Sequence, residues 1–387
     1  MTDLVGNWNY PTTIRFGAGR IAELADACKA LGMARPLLVT DPGLAALPMV
    51  RDAIAANQAA GLPTGLFSDV RPNPVSANVE AGVKSFKDGG HDGVIAFGGG
   101  SGLDAAKAIA FMAGQTRPIW DFEDIGDWWT RADARAIAPI VGVPTTAGTG
   151  SEVGRAAVVT DESTHTKKII FHPKMLPGIV IADPELTTGL PPHITAATGI
   201  DALTHNLEAL CATGYHPMAE GIALEGLRLI KTWLPTACRD GGNVEARAHM
   251  LVASSMGATA FQKGLGAIHA LSHPVSALYD THHGLTNAVF TPYVMVYNRP
   301  AIEDRMARLA RLLGLPNPSF TAVLDWVLDL REELGIPHTA VALGIEEGRL
   351  DELAAKAEVD PPNASNPVPA AAADLRGIYE AALEGRL

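Results

Sequence analysis

Two hydrophobic rhythms divide the chain. From about Ile14 to Asp183, short apolar runs (RPLLVTD, DGVIAFGGG, IAPIVGVPTT, GIVIADP) alternate with Ala-rich stretches of helical character (AGRIAELADACKALG, VRDAIAANQAAG, SANVEAGVKSFKDGG). Runs that stay apolar at successive positions, each leading into a Gly- or Pro-marked turn, predict parallel strands buried under helices on both faces of one sheet. Beyond Pro184 such runs nearly vanish and a helical period takes over, as in ATGIDALTHNLEALC, MAEGIALEGLRLIKTWLPTAC, EARAHMLVASSMGATAFQ and TAVLDWVLDLREELG. The pattern predicts an α/β domain over residues 1–184 and an all-helical domain over 185–387. PPNASNPVP, at 361–369, predicts a loop ahead of a last short helix.

Composition narrows the partners. A chain of 387 residues with 47% hydrophobic content exceeds one core and can build two. The net charge of -12 and the lack of a basic run exclude nucleic acid, whose phosphates need clustered Lys and Arg. The most apolar windows fall short of the roughly 18 residues that a membrane span requires. TDLVGNWNYP after Met1 lacks the basic and apolar regions of a secretory leader, and Cys28, Cys211 and Cys238 have neither metal nor redox spacing. These features predict a cytoplasmic protein.

Candidate chemistry begins at a glycine-rich turn. In HDGVIAFGGGSGLDAAK, Gly98, Gly99, Gly100 and Ser101 lie between a buried strand and a helix predicted to start near Gly102. Backbone N–H groups at such a turn can receive a pyrophosphate, provided no Cβ blocks the approach. Leu103 replaces the third glycine of the G-x-G-x-x-G pattern, so steric packing alone would also explain the turn. VGVPTTAGTGSEV ends a second strand with Thr145, Thr146, Thr149 and Ser151, as a ligand loop or as simple hydroxyl turns. Both loops would face the C-terminal edge of the sheet, where open α/β folds bind ligands. Asp41 ends RPLLVTD at that edge. Its carboxylate could accept from the ribose hydroxyls and repel a 2′-phosphate, favouring NAD over NADP, or merely form a turn before Pro42 and Gly43.

The helical half crowds histidines. AIHALSHPVSALYDTHHG carries His269, His273, His282 and His283, and His269 and His273 are four apart, on one helix face. TGIDALTHNLEAL repeats the device with Asp201 and His205 among apolar neighbours. One such histidine is ordinarily a satisfied core residue. Several, with a carboxylate, form the kind of set with which helical bundles hold a divalent metal. Spacing does not choose between His282 and His283 for a third imidazole, and His193 and His249, without such company, are expected to be surface or structural residues.

Together GGGSGLDAAK, PTTAGTGSEV, GIDALTH and H-x-x-x-H followed by H-G make the chain similar to the iron-containing (group III) alcohol dehydrogenases, the family of lactaldehyde reductase and butanol dehydrogenases. The resemblance runs from Asp41 through Tyr293. It implies metal ligands Asp201, His205, His269 and His283, the last because the family's ligand directly precedes the glycine, here Gly284. It implies a non-ligand role beside the nicotinamide for His273, and a dinucleotide site lined by Asp41, Asn73, Gly98, Gly99, Gly100, Ser101, Thr145, Thr146, Thr149 and Lys167. The implied fold pairs a dinucleotide-binding domain with a helical metal domain, and a homodimer is implied as well. The segment WDFEDIGDWWTRAD (120–133) is less characteristic and is expected to be a surface loop with a partly buried aromatic pair.

The implied reaction is reversible hydride transfer between a primary alcohol or its aldehyde and NAD(H), with the metal polarising the substrate oxygen and His273 passing a proton to solvent. Iron rests on the resemblance, since three nitrogens and one oxygen hold Zn²⁺ at least as tightly as Fe²⁺. Three rivals use similar ligands: a metal-dependent hydrolase activating water, an oxygenase, and a metal-sensing or storage protein. The hydrolase leaves the glycine-rich turn and Asp41 without work, and for the oxygenase four protein ligands leave too few open positions for dioxygen and a cosubstrate.

Overall fold

The computed structural model describes residues 12–387; the segment read for a secretory leader lies outside them. Two compact units emerge, one comprising residues 12–146 and Gly150–Gly189, the other Ala147–Thr149 with Leu190–Leu387.

The first unit is a six-stranded parallel sheet. Its strands are β1 (Thr13–Phe16), β2 (Pro36–Val39), β3 (Gly65–Phe67), β4 (Gly93–Gly98), β5 (Ile140–Pro144) and β8 (Ile179–Ala182), in the spatial order β1-β8-β5-β4-β2-β3. Its helices are α1 (Leu24–Ala30), α2 (Pro42–Ala45), α3 (Pro48–Ala59), α4 (Ser76–Asp88) and α5 (Gly100–Met112). Alternation along the strands splits the side chains between two cores. Leu37, Val39, Val94 and Ala96 pack with Val79 of α4 and Leu103 and Ile109 of α5, whereas Leu38, Ile95 and Phe97 pack with Leu24, Cys28 and Val50. With both faces covered, the strands read as unbroken apolar runs. The sequence pattern missed the edge strands β1 and β3, and also an antiparallel hairpin of β6 (Ala156–Asp161) and β7 (Thr166–Phe171).

The second unit is helical, with no strand among its described residues. It comprises α6 (Pro192–Cys211), α7 (Pro217–Arg239), α8 (Val244–Ala260), α9 (Ala267–Tyr279), α10 (His283–Leu312), α11 (Phe320–Glu333), α12 (Leu350–Glu358) and α13 (Ala372–Glu384). The expected loop at 361–369 holds one 3₁₀ turn, Pro361–Ser365. α6 is its axis, buried at every position from Gly199 to Cys211 and packed against α7, α8 and α10. Ile200, Leu203 and Leu207 meet Leu227 and Ile230 of α7 and Met250 of α8. A helix surrounded in this way can carry charged side chains only where partners await them. Asp201, His205 and Glu208 are such side chains.

Candidate functional site

Strand order locates a ligand crevice in the first unit. The chain leaves β2 toward the outer neighbour β3 and leaves β4 toward β5 on the other side, so the loops after β2 and β4 part company. Such a switch point is where open α/β sheets take their ligands. Asp41 follows β2 and Gly98–Ser101 close β4. α5 begins at Gly100, two residues earlier than expected, because Gly99 adopts an extended N-cap conformation. A Cβ on Gly99 would stand 3.1 Å from Thr146 Cγ2, so the glycine lets the two predicted loops close on one another. Asn73 joins them: its backbone N–H donates to Ser101 Oγ at 3.3 Å, from a φ of 51° that asparagine tolerates. Lys167 sits on β7 opposite Thr160, whose N–H bonds the carbonyl of Pro74. Thr145 is buried, its N–H on the Gly98 carbonyl at 3.0 Å. Asp41 caps α2 by accepting from the Leu44 N–H, and its other carboxylate oxygen is not used in the cap. Thr149 belongs to the helical unit, where Gly148 packs against Thr198 of α6.

In the helical unit Asp201 and His205 of α6 and His269 of α9 converge. Each offers a ligand atom within 4.8 Å of the others, and all three are at least 97% buried. His283, the first residue of α10, brings Nε2 to 3.8 Å from Asp201 Oδ1. His282 caps α10 by accepting from the Leu285 N–H. Gly284 follows His283 because a Cβ there would lie 2.4 Å from the Ala197 carbonyl. Only glycine lets α10 approach α6 so closely.

A cation fits the donors. Asn287 Nδ2, buried among them, lies 2.8 Å from Asp201 Oδ1, 3.1 Å from His283 Nε2 and 3.3 Å from His269 Nε2. With both rings neutral and protonated on Nδ1, the amide has two hydrogens for three facing lone pairs, so acceptors outnumber donors at this point. Burial pushes His205 down to about 4 despite the nearby Asp201 carboxylate, so its imidazole is neutral and ready to ligate. Burial would also lower His269, but Glu208, 2.6 Å from its Nδ1, together with the Asp201 and Asp360 carboxylates raises it.

His273 stands beside this cluster, its ring 5.4 Å from that of His283, with its Nδ1 on Asp360. The remaining candidates scatter. His193 is exposed and His249 stacks on Trp233. In the first unit, Trp128 lies under Arg131 while Trp129 packs edge-on to Phe171 of β7, giving the half-buried aromatic pair expected for the 120–133 segment.

Comparison with known proteins fixes the family. The profile of the iron-containing alcohol dehydrogenases matches residues 11–184, and that of the C-terminal part of the same family matches 195–383. The chain belongs to the iron-containing alcohol dehydrogenase family. It is 40% identical to a 4-hydroxybutyrate dehydrogenase of Cupriavidus necator, over 96% of this chain and 98% of that one. It is 34% identical to an NAD-dependent methanol dehydrogenase of Bacillus methanolicus, over 97% and 100%. The solved structure of a 1,3-propanediol oxidoreductase superposes with a TM-score of 0.93 at 33% identity, covering 98% of this chain and all of that one. A metal-dependent hydrolase finds no support in these likenesses.

Within this dehydrogenase fold, sequence reasoning missed three side chains that touch the histidines. Glu208 was legible, lying three residues after His205 and seven after Asp201 on the same helix face. Asn287, four residues past His283, carried the same kind of signal. Asp360 lies 87 residues from His273, and no local pattern links them. The raised His269 has a measurable consequence: a proton must leave it before Nε2 can ligate. Metal affinity should therefore rise about tenfold per pH unit up to its folded pKa, beyond the 6.5 of an ordinary imidazole. Chelator competition between about pH 5 and 8 measures this; a flat profile would contradict it.

Proposed function

We infer that the chain is an NAD-dependent, metal-dependent alcohol dehydrogenase that moves hydride reversibly between a primary alcohol or its aldehyde and NAD(H). The buried convergence of Asp201, His205 and His269 carries this conclusion. Those three, with His283, hold Fe²⁺, the metal of the family's name; the same donors accept Zn²⁺. When bound, the cation supplies positive charge beside the substrate oxygen and so acidifies the alcohol, as bound water falls from near 16 to about 7. Residues 1–184 form the NAD-binding domain and 185–387 the metal-binding domain. Gly98, Gly99, Gly100 and Ser101 receive the pyrophosphate, Asp41 the adenosine ribose, and Asn73, Thr145, Thr146, Thr149 and Lys167 line the rest. His273 takes the proton released from the alcohol and passes it to solvent. The enzyme works as a cytoplasmic homodimer, in keeping with three unpaired cysteines and, among the described residues, no helix long and apolar enough to cross a membrane.

The substrate class is that of the relatives' names: short alcohols, diols and ω-hydroxy acids. A panel of methanol, butanol, 1,3-propanediol and 4-hydroxybutyrate, assayed with NAD⁺, ranks them. Cofactor binding gives the sharper test, since mixing with the protein should change NADH fluorescence. Asp41→Ser keeps an α2 cap but removes the charge. Repulsion of the 2′-phosphate amounts to several kcal/mol, so the kcat/KM ratio of NADP⁺ to NAD⁺ should rise at least about tenfold. Silent NADH fluorescence would sink the assignment, whereas an unmoved ratio would remove only Asp41 from it.

A further inference from the structure

Two histidines one turn apart on α9 each point Nδ1 at a buried carboxylate. His269 meets Glu208 Oε2 at 2.6 Å, and His273 meets Asp360 Oδ2 at 3.0 Å and Oδ1 at 3.1 Å. An ionised carboxylate only accepts. In each neutral ring the proton therefore resides on Nδ1, and Nε2 on the opposite edge keeps its lone pair. Identical orientation serves different surroundings: the His269 side chain is 2% exposed and sits within the ligand cluster, whereas that of His273 is 10% exposed and lies outside it.

The two carboxylates are also committed differently. Glu208 divides its oxygens between His269 and the Ile268 N–H at the start of α9. Asp360 turns both oxygens to His273. Its placement is rigid. The turn that it precedes, Pro361–Ser365, is fastened to the N-terminal end of α9. Ser365 Oγ donates to the Leu265 carbonyl, Asn366 Oδ1 accepts from the Ala267 N–H, and Asn366 and Asn298 exchange amide hydrogen bonds at 2.8 and 2.9 Å. The same segment thus fixes where α9 begins and where the Asp360 carboxylate stands.

We propose that Asp360 is a positioning residue for the reaction: it holds His273 as the Nδ1–H tautomer, so that Nε2 stands ready to accept the proton of the substrate hydroxyl. The proposal rests on the relay role of His273 given above. In alcohol oxidation the O–H bond breaks and its proton forms an N–H bond at Nε2, while the carbon-bound hydrogen leaves as hydride to NAD⁺, which is reduced. The carboxylate faces the imidazolium until Nε2 releases its proton to solvent. Without Asp360 the ring reverts to the Nε2–H tautomer that free imidazoles favour, and Nε2 has no lone pair to offer.

The test uses the metal-loaded enzyme with His273→Ala, Asp360→Ala and the near-isosteric Asp360→Asn, whose carbonyl can still accept from Nδ1. Metal content is measured for each. Nitrogen-15 spectra of imidazoles are recorded on diamagnetic Zn²⁺-loaded protein, with the His273 signal assigned by its loss in His273→Gln. Expected are the Nδ1–H signature in the parent protein, its loss in Asp360→Ala, a kcat lower by about 10- to 100-fold, unchanged metal content, and a smaller loss in Asp360→Asn. An unaltered tautomer in Asp360→Ala, or a kcat within about twofold of the parent, overturns the proposal while the His273 relay stands. Metal lost from both Asp360 variants also overturns it, making Asp360 a brace of the ligand cluster. Full turnover in His273→Ala removes the relay itself, and the positioning role falls with it.

Discussion

Asp201→Ala should yield a folded protein that retains no metal, binds NADH as before, and turns over at least about 10³-fold more slowly. Asp201 is the single carboxylate of the four candidate ligands, and its Oδ1 lies within reach of Asn287 Nδ2 and His283 Nε2. Removing it deletes the one anionic ligand of the set, leaving three imidazoles to hold a dication with negative charge only behind them, on Glu208 at the far nitrogen of His269. Metal catalysis supplies several kcal/mol of transition-state stabilisation, and each 1.36 kcal/mol is tenfold in rate, so about 4 kcal/mol gives the stated loss. The fold should survive. Alanine is the best residue for a helix interior, and the apolar neighbours Ile200, Leu203 and Leu207 keep α6 packed. Elemental analysis, kcat and NADH titration of the same preparation decide the matter. Metal and turnover retained together would mean that the cluster is not the catalytic centre.

The legibility of this site in the sequence follows its geometry. Asp201, His205 and Glu208 share one helix, so a period of 3.6 residues announces their common face. The pairing of α6 with α9 and α10 needs the tertiary fold, yet similar i, i+4 devices in one apolar region already pointed to a shared site. Asp360 acts through a contact that spans 87 residues and comes from a segment resembling an ordinary Pro/Asn loop. Nothing local distinguishes it.

In the first unit the strands that the pattern found are those buried on both faces, such as β4. Those it missed are β1, with half-exposed residues at the sheet edge, and β3, only three residues long. The β6–β7 hairpin did leave a trace. AAVVTD and TKKIIF are rich in β-branched residues and flank a four-residue turn in which His165 has a φ of 48°. Its strands were masked by the stronger loop and strand motifs on either side. Asn73 entered only through the family resemblance, because a lone Asn before Pro74 signals a turn and gives no hint that its N–H will meet Ser101.

Asp104→Ala should destabilise the first unit by about 3–5 kcal/mol, the cost of stranding one partner of a buried ion pair. Lys107 is 1% exposed; its Nζ lies 3.3 Å from Asp104 Oδ1 and donates to the carbonyls of Ser151 and Ala156. Burial pushes its pKa down, and Asp104 counters most directly. Asp104 in turn accepts from Ser151 Oγ at 2.5 Å and from the Val158 N–H at 3.0 Å, so one carboxylate ties α5 to the turn after β5 and to β6. Its removal leaves an ammonium in the core with only carbonyl dipoles and a more distant Glu152. At roughly 2–4 °C per kcal/mol for a unit of this size, the melting temperature should fall by roughly 6–20 °C. Asp104→Ala combined with Lys107→Met removes both charges, and the pair should recover much of the loss, a coupling that a double-mutant cycle isolates. Because Gly100 and Ser101 open the same helix, NADH should also bind more weakly in the single variant than in the double. Additive losses in the double variant would show that the pair contributes no mutual stabilisation, and that the carbonyl contacts of Lys107 hold α5 in place by themselves.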